Sequence, residues 1–410
     1  MANQAIYILG GSQTDFARNW TREGKDIYSL FADCLNEALA ATDIDPADID
    51  VAHVGNFVGD LFTGQALLNG LFAHVHPALN NIPSSRHEAA CASGSMALLA
   101  AMRDIEAGHY QLACVHGIEL MRNVDGTVAA DHLAAAAWRG IETEGCTYPW
   151  PNMFARVLDI YQQRYGVDLA HLRAIASNNF ANARRNPNAQ TRNWQFNDLS
   201  FSDDDSANPR IEGQLRKHDC GQVTDGAAVV FIASETYAKQ YASQHGLALE
   251  ALPRIKGWGH RSSALLMDRK LELSAGAPLL FPHVADTFSD ALGRAGLADV
   301  HQLDGLEVHD CFSITEYMIL DHAGITAPGE GFRAIENEMI SMQGSLPINP
   351  SGGLIGLGHP VGATGVRMLL DAAKQVSGSA GETQVEGARN FATFNLGGST
   401  TTCAAFVVGV

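Results

Sequence analysis

The sequence is poor in positive charge. Lys and Arg together number 27 against 45 Asp and Glu, which gives a formal net charge of -18. Because an acidic chain repels phosphate backbones and anionic lipids, nucleic acid and a membrane surface are disfavoured as main partners. Any anionic ligand must therefore be met by locally placed cations.

Long hydrophobic runs and targeting signals are also missing. No apolar stretch is long enough to span a bilayer, and the first residues lack the basic region and apolar core of a cleavable signal. The last residues, FVVGV, do not form a peroxisomal address. We therefore expect a cytoplasmic protein.

Paired cysteines are absent as well. The seven cysteines form an odd, scattered set without a CxxC pair, which argues against a disulfide framework and a structural zinc site. The sequence predicts reduced thiols and no metal. The seven are Cys34, Cys91, Cys114, Cys146, Cys220, Cys311 and Cys403.

The sequence does contain the alternation of an α/β protein. Short runs rich in Val, Ile and Ala alternate with segments of helical period, which is typical of strands buried on both faces. Strands are expected at 5–9, 51–54, 112–115, 227–232, 306–308 and 402–408. Helices are expected at 27–42, 93–107, 153–165, 169–183, 282–295, 313–323 and 360–376. The polar, aromatic stretch 122–223 interrupts the pattern and predicts an inserted loop domain.

Two segments share one arrangement. HEAACASGSMALLAAM near residue 90 and GHPVGATGVRMLLDAA near residue 360 each run from a reactive residue through small residues into an amphipathic helix. This weak repeat suggests two similar halves, each delivering one reactive group from a strand-to-helix turn.

Cys91 and His359 are those two reactive groups. Unpaired N–H groups at a helix N-terminus favour ionisation of a thiol, and the small residues after Cys91 leave room for a thioester. A buried structural thiol fits equally well unless a base lies nearby. In NPSGGLIGLGHPVGATG, Pro360 keeps His359 out of helical geometry, so this histidine is presented on a turn. A phosphate loop is the alternative, but the GxxxxGK and GxGxxG spacings are missing.

Two further motifs carry candidate groups. In LEVHDCF, a continuing strand would place His309 and Cys311 on one face and Asp310 on the other, although many strand-end histidines have no special role. In FNLGG, Gly397 and Gly398 could bare backbone N–H groups for an oxyanion hole, or form only a turn.

Together, CASGSMAL, HDCF, GHPVGATG and NLGG resemble the thiolase superfamily over essentially the whole chain. HDCF is similar to the form in sterol-carrier-protein type thiolases and bacterial acetyl-CoA acetyltransferase relatives. The resemblance implies duplicated βαβαβαββ halves in a five-layered αβαβα arrangement. The N-terminal half would span 1–121 and 224–252, the inserted substrate and CoA domain 122–223, and the C-terminal half 253–410. It also implies a homodimer or homotetramer.

The resemblance further implies an acyltransferase that cleaves 3-oxoacyl-CoA with coenzyme A, or runs the reverse Claisen condensation, without a permanently bound cofactor. Cys91 would be the nucleophile and His359 the base and an oxyanion donor. Cys311 would be the second acid and base, and His309 and the Gly397 backbone would complete the oxyanion holes. Asn395 stands where ordinary thiolases have their second cysteine, so Cys311 would replace it.

Contacts to coenzyme A are expected from the inserted segment. Arg184, Arg185 and Arg216 are candidates for its phosphates, although a solvated basic surface would look alike. Four large apolar side chains would either line the pantetheine or acyl pocket or pack the core of the loop domain. They are Trp150, Met153, Trp194 and Phe196.

Three other functions remain open at this point. A ketoacyl synthase pairs a cysteine with two histidines, and a thiolase-type acyltransferase uses an acceptor other than CoA, with a partner subunit as an option. The third is a catalytically silent relative that binds acyl-CoA.

Overall fold

The computed structural model describes residues 4–410 and contains eleven strands. They are β1 (Ile6–Gln13), β2 (Val51–Gly55), β3 (Ser84–His87), β4 (Leu112–Glu119), β5 (Arg210–Glu212), β6 (Leu215–Arg216), β7 (Gly226–Ser234), β8 (Arg254–Ser262), β9 (Gly305–Val308), β10 (Asn390–Gly397) and β11 (Thr402–Gly409). The strands β4 and β7 are buried along their whole length, as expected for strands covered on both faces.

Thirteen α-helices connect these strands within the described residues. They are α1 (Ile27–Thr42), α2 (Gly59–Thr63), α3 (Leu71–Val75), α4 (Ser93–Glu106), α5 (Gly126–Leu133), α6 (Pro149–Tyr165), α7 (Leu169–Ala183), α8 (Glu235–Gln244), α9 (Met267–Leu273), α10 (Pro282–Ala295), α11 (Ser313–His322), α12 (Phe332–Glu336) and α13 (Val361–Val376). None of the helices in 4–410 is both long enough and apolar enough to cross a membrane.

The main sheet has two halves with the same topology. Its order is β3-β2-β4-β7-β1 in one half and β8-β11-β10-β9 in the other, and only two residue pairs of β1 and β8 join the halves. A parallel bridge between Leu306 and Ile348 adds the counterpart of β3 beside β9. Each half therefore combines parallel pairs with two antiparallel pairs in the same order.

The two halves enclose a central helix layer. Helices α4 and α13 pack on each other, and α13 also contacts β4 and β7 of one half and β10 and β11 of the other. Helix α1 covers the outer face of β1 and β7, while α10 covers β8 and β11. The order is helix, sheet, helix, sheet, helix, which confirms the predicted five-layered α/β fold.

The turns that carry Cys91 and His359 occupy equivalent places in the two halves. Cys91 follows β3 and precedes α4, and His359 follows the bridged residue Ile348 and precedes α13. The similarity between the two sequence segments thus corresponds to equivalent positions in a duplicated topology. Because α4 and α13 lie side by side in the central layer, their N-terminal turns meet at one end of it.

The segment 122–223 adds no strand to the main sheet. It contains α5, α6, α7 and the small two-stranded sheet of β5 and β6. Its helices α6 and α7 pack against α11 of the C-terminal half. The exact boundaries given above for the inserted domain and the two halves stay a prediction.

Two strands escape the hydrophobic pattern for physical reasons. Strand β3 consists of half-buried polar residues at the sheet edge. Strand β8 carries Gly257 and Gly259, and a Cβ at Gly259 would lie 1.8 Å from the Thr287 carbonyl oxygen of α10. The absence of side chains there lets α10 approach the strand closely, but it also removes the apolar alternation that identifies a strand.

Candidate active site

Cys91 lies on a tight turn between β3 and α4. Ala90 adopts a left-handed φ of 51°, and the turn is held by local hydrogen bonds. The Glu88 carboxylate accepts from Ala90 N at 2.6 Å, while Ser93 Oγ accepts from Ala89 N at 2.9 Å and donates to Ala90 O at 2.6 Å. A non-glycine residue in this conformation is uncommon, and here it turns Cys91 out of the strand direction into a cavity.

His359 presents a lone pair to the cavity. Its Nδ1–H donates to Thr364 Oγ1 at 2.7 Å, because the Thr364 hydroxyl donates its own proton to Pro360 O at 3.1 Å. The backbone N–H of His359 donates to Thr224 Oγ1 at 3.0 Å, which fixes the turn. Nε2 is buried and has no hydrogen-bond partner. This nitrogen is therefore available as a base.

His309, unlike His359, offers a ring N–H as a hydrogen-bond donor. Asn395 Nδ2 donates to His309 Nδ1 at 3.1 Å, and Asn395 Oδ1 accepts from Ser95 Oγ at 2.8 Å. Nδ1 is therefore an acceptor, so the ring proton resides on Nε2. The sequence identifies Asn395 only as the residue that replaces a cysteine. Its role in fixing the tautomer of His309 depends on Ser95, which is distant in the chain.

The sulfur and the two imidazoles converge. Cys91 Sγ and one ring nitrogen each of His309 and His359 lie within 4.8 Å of one another, and the two rings stand at 88° with centroids 5.3 Å apart. A thiolate and two imidazoles can hold a transition metal. Here, however, Asn395 keeps a proton on the inward nitrogen of His309, so the donor set suits proton transfer and oxyanion binding better than metal ligation.

Cys311 faces the same cavity as Cys91. Strand β9 ends at Val308, yet the side chains continue to alternate. Asp310 points away from the cavity and accepts from the backbone N–H groups of Leu354 and Ile355, the latter at 3.2 Å. Cys311 Sγ lies 3.7 Å from Thr315 Oγ1. His309 is not among the residues that line this cavity, so the predicted grouping of His309 with Cys311 stays a prediction.

The cavity is narrow and mostly apolar. Its volume is about 260 Å³, and α5 and α6 of the inserted segment form one wall. Its lining comprises Phe57, Ala90, Cys91, Met121, Gly126, Ala130, Leu133, Ala136, Tyr148, Trp150, Pro151, Phe154, Cys220, Gly221, Gln222, Val223, Cys311, Phe312, His359, Val361 and Gly398. Of the four large apolar side chains expected at a pantetheine or acyl pocket, only Trp150 lines this cavity. Met153 lies in the core of the C-terminal half, and Trp194 and Phe196 pack around Phe180.

Gly398, one residue after the predicted backbone donor Gly397, lines the cavity together with Cys91. Burial has the largest influence on the pKa of the Cys91 thiol, and the backbone N–H groups of Gly398 and Cys91 act against it. Gly397 serves a different purpose, since a Cβ there would lie 2.2 Å from Ala89 O. It allows β10 to approach the turn that carries Cys91.

Comparison with known protein families gives two matches that follow one another along the chain. Residues 6–236 match the family model described as "Thiolase, N-terminal domain", and residues 268–410 match "Thiolase C-terminal domain-like". The chain belongs to the thiolase family. The resemblance inferred from the four motifs is thereby confirmed.

Individual relatives agree with this assignment. An acetyl-CoA acetyltransferase of Methanothermobacter thermautotrophicus is 30% identical over 98% of this chain and 98% of its own length. Sterol carrier protein 2 of Homo sapiens is 27% identical over 96% of this chain and 70% of its own length. Among solved structures, the Ltp2-ChsH2(DUF35) aldolase has a TM-score of 0.78 at 20% identity, covering 99% of this chain and 98% of that chain, which shows the fold alone. The family confirms an enzyme of the acyltransferase class.

In this thiolase, burial keeps the central groups neutral. Burial raises the pKa of the Cys91 thiol to about 12 and lowers the pKa of His309 to about 3. Burial and the neighbouring His309 also lower the pKa of His359 well below its usual value. The raised pKa of Cys91 is opposite to the lower pKa expected for it near a helix N-terminus. Cys91 precedes α4 by two residues, and desolvation outweighs the helix.

The three arginines expected to contact coenzyme A do not line the cavity that contains Cys91. Arg216 is 2% exposed, and its guanidinium binds Asp205 at 2.7 Å and Asp203 at 3.3 Å. Because both carboxylates already satisfy its charge, the prediction that Arg216 binds a phosphate is not carried forward. Arg184 and Arg185 line a separate depression of about 500 Å³ that shares no lining residue with the cavity. Their contact with coenzyme A stays a prediction.

Two buried acidic residues stabilise the region around Cys91 and His359. Neither was predicted from the sequence. Glu119 accepts from the backbone N–H groups of Phe57 at 2.9 Å and Gly362 at 3.1 Å, which links β2 to the start of α13. Glu307 accepts from Arg367 at 2.7 Å and from Ser351 on the loop that leads to His359. A carboxylate within an apolar strand, as in GIELM and LEVHD, was the available signal.

Proposed function

We propose that this chain is an acyl-CoA thiolase, an acetyl-CoA C-acyltransferase that carries the acyl group on Cys91. The single observation that supports this most is the meeting of one thiol, one lone-pair imidazole and one N–H imidazole within 4.8 Å, beside a cavity that Cys91 and His359 share with Cys311. Thiolysis needs these four groups: a nucleophile, its base, an oxyanion donor and a second acid.

The first half-reaction uses His359 as the base. Its Nε2 takes the proton of Cys91 as the sulfur attacks C3 of a 3-oxoacyl-CoA, and the carbonyl oxygen becomes an oxyanion. Cys91 and Gly398 both line the cavity, and their backbone N–H groups would bind the oxygen. Removing one such donor typically costs about 3–4 kcal/mol of barrier. A neutral thiol and a neutral imidazole suit this step because the proton moves as the bond forms.

Cleavage of the carbon–carbon bond involves the second pair of groups. The C2–C3 bond breaks, its electron pair forms the enolate of acetyl-CoA, and the carbonyl of acyl-Cys91 is restored. The N–H of His309 would bind the enolate oxygen, while the Cys311 thiol gives its proton to C2. The thiol of a second coenzyme A then attacks acyl-Cys91 and releases the shortened acyl-CoA. In the reverse direction, Cys311 removes the proton from C2.

Coenzyme A is proposed as substrate rather than as a resident cofactor. The cavity of about 260 Å³ has a mostly apolar lining, which suits a pantetheine arm better than a charged nucleotide. The name of the Methanothermobacter thermautotrophicus relative, acetyl-CoA acetyltransferase, supports the same substrate class. The nucleotide part would remain outside the cavity.

Acetylation of Cys91 tests the proposal directly. Incubation with acetyl-CoA followed by peptide mass spectrometry should find an acetyl group on Cys91 and none after Cys91→Ala. Cys146→Ala is the matched control, because Cys146 is also partly exposed but does not line the cavity. Unmodified wild-type protein would favour a silent acyl-CoA-binding relative. A thiolysis assay with short, long and branched 3-oxoacyl-CoA esters would then define the acyl group.

Self-association belongs to the same proposal. Strand β3 ends the main sheet and pairs only with β2, so its outer edge offers backbone groups to a second copy. We expect a homodimer or a multiple of it. Light scattering coupled to size-exclusion chromatography measures this, and a mass of one chain at micromolar concentration would refute it.

A further inference from the structure

Lys270 is a buried lysine beneath the turn that faces Cys91. It lies on α9 with 2% exposure, and no described carboxylate oxygen approaches its Nζ within 4.0 Å. Lysines are rarely buried without a paired anion, because desolvating the ammonium is costly. Such a residue calls for a reason beyond packing.

The contacts of Lys270 are concentrated on one short turn. Nζ donates to Ser399 O at 2.6 Å, to Ser399 Oγ at 2.6 Å and to Thr401 Oγ1 at 2.9 Å. A fourth acceptor, Leu265 O, lies at 3.2 Å. Three of the four acceptors belong to the turn 398–401 between β10 and β11.

That turn has an unfavourable backbone conformation. Gly398 has a φ of 60° and Thr400 a φ of 67°. A β-branched residue rarely adopts the left-handed region, so contacts outside the turn must maintain it. Lys270 supplies these contacts from one side, and His283 Nε2–H donates to Thr400 O at 2.8 Å from the other.

We propose that Lys270 is a positioning residue of the oxyanion hole, whose ammonium holds the turn 398–401 so that the Gly398 N–H stays aimed at the reacting oxygen. The inference rests on the proposed thiolase function. Lys270 does not line the cavity and acts through Ser399 and Thr401. Its positive charge also favours negative charge developing at the turn.

The surroundings of Lys270 predict a dependence on pH. Burial lowers the pKa of Lys270 to about 8. The ionisable groups that face it are Glu142 before α6, His283 on α10 and Cys403 on β11. Burial lowers the pKa of His283 and raises that of Cys403 to about 12, so Lys270 is the group that loses charge near pH 8. A neutral amine has one N–H fewer for its acceptors, so acylation should slow above about pH 8.

Two reactions of Cys91 separate this role from a general effect on the site. Acetylation by acetyl-CoA passes through an oxyanion, whereas alkylation by iodoacetamide does not. Lys270→Met should slow single-turnover acetylation by about tenfold to a hundredfold and leave alkylation within about twofold. Lys256→Met is the matched control, since Lys256 is partly buried and donates to the neutral Asn390 Oδ1 at 2.6 Å, away from this turn. It should change neither rate.

The outcomes are distinct. Unchanged acetylation in Lys270→Met, or an equal loss of both reactions, would overturn the inference. Wild-type protein that is alkylated but never acetylated would instead overturn the proposed function, and this inference with it.

Two milder variants apply if Lys270→Met does not fold. Ser399→Ala removes one acceptor and should slow acetylation by about threefold to tenfold. Lys270→Arg keeps its charge above pH 8, so the alkaline decline of acetylation should disappear. Acetylation of Ser399→Ala at the wild-type rate, or an unchanged pH profile of Lys270→Arg, would refute the role of Lys270.

Discussion

The substitution Thr364→Val tests the tautomer of His359, the proposed base. Thr364 is fully buried, and its Oγ1 accepts from His359 Nδ1–H at 2.7 Å. Valine has nearly the same shape but no acceptor, so Nδ1–H would face hydrocarbon. The ring can respond by rotating or by moving its proton to Nε2. Both responses remove the lone pair that takes the proton of Cys91.

The size of the effect follows from the buried donor. Leaving a buried N–H without a partner costs about 1–3 kcal/mol. Since about 1.4 kcal/mol corresponds to a tenfold change in rate, acetylation of Cys91 should slow by about fivefold to 150-fold. Thr364→Ser retains the hydroxyl and loses one methyl group, so its rate should stay within about threefold of wild type.

Stopped-flow or rapid-quench acetylation with acetyl-CoA measures this rate directly. Circular dichroism controls for folding. A Thr364→Val rate within about twofold of wild type would show that Thr364 does not orient the base, since the expected loss is larger. Equal losses in Thr364→Val and Thr364→Ser would assign the effect to packing.

Three further outcomes are expected. Cys311→Ala should leave Cys91 acetylation almost intact but slow thiolysis of acetoacetyl-CoA by about 10²–10⁴-fold, because only thiolysis needs a proton at C2. With its pKa raised to about 12, the Cys91 thiolate fraction should grow with pH, so alkylation by iodoacetamide should accelerate about tenfold per unit through pH 7 to 10 without a plateau. Arg367→Met leaves Glu307 without its buried cation and should lower the free energy of unfolding in urea by about 3–5 kcal/mol.

Each of these outcomes has a control or a contrary result. If Cys311→Ala loses acetylation and thiolysis equally, Cys311 shapes the site rather than transferring a proton. A plateau of alkylation near neutral pH would mean that Cys91 is ionised in the free protein. Arg269→Met breaks the exposed pair with Glu272 and should cost less than about 1 kcal/mol. If Arg367→Met lowers the free energy of unfolding no more than Arg269→Met does, the buried pair contributes no more than an exposed one.

Much of the fold could be predicted from the sequence, since its elements are defined by local periodicity. The predicted helices 27–42, 169–183 and 282–295 match α1, α7 and α10, because their apolar faces repeat every three or four residues. Strand β8 could not be found in this way. Its glycines exist because α10 presses against them, and that contact is not visible in a local pattern.

The candidate catalytic residues could be named from the sequence, but their protonation states could not. Cys91, His309, Cys311 and His359 stand in motifs that indicate reactivity. The proton positions on the two histidines depend on Thr364 and on Asn395 with Ser95, and their neutrality depends on burial. The charge of Arg216 is visible in the sequence, whereas its pairing with Asp203 and Asp205 is not.

The sequence by itself therefore determined the duplicated α/β architecture and the residue types of the site, because periodicity and motif order are local properties of a chain. The tertiary structure decided which nitrogen carries a proton, which thiol is desolvated, and that Lys270 lies beneath the glycine turn. These properties arise from hydrogen bonds and desolvation between groups that are far apart in sequence, such as Ser95 and Asn395, and they exist only once the two halves pack together.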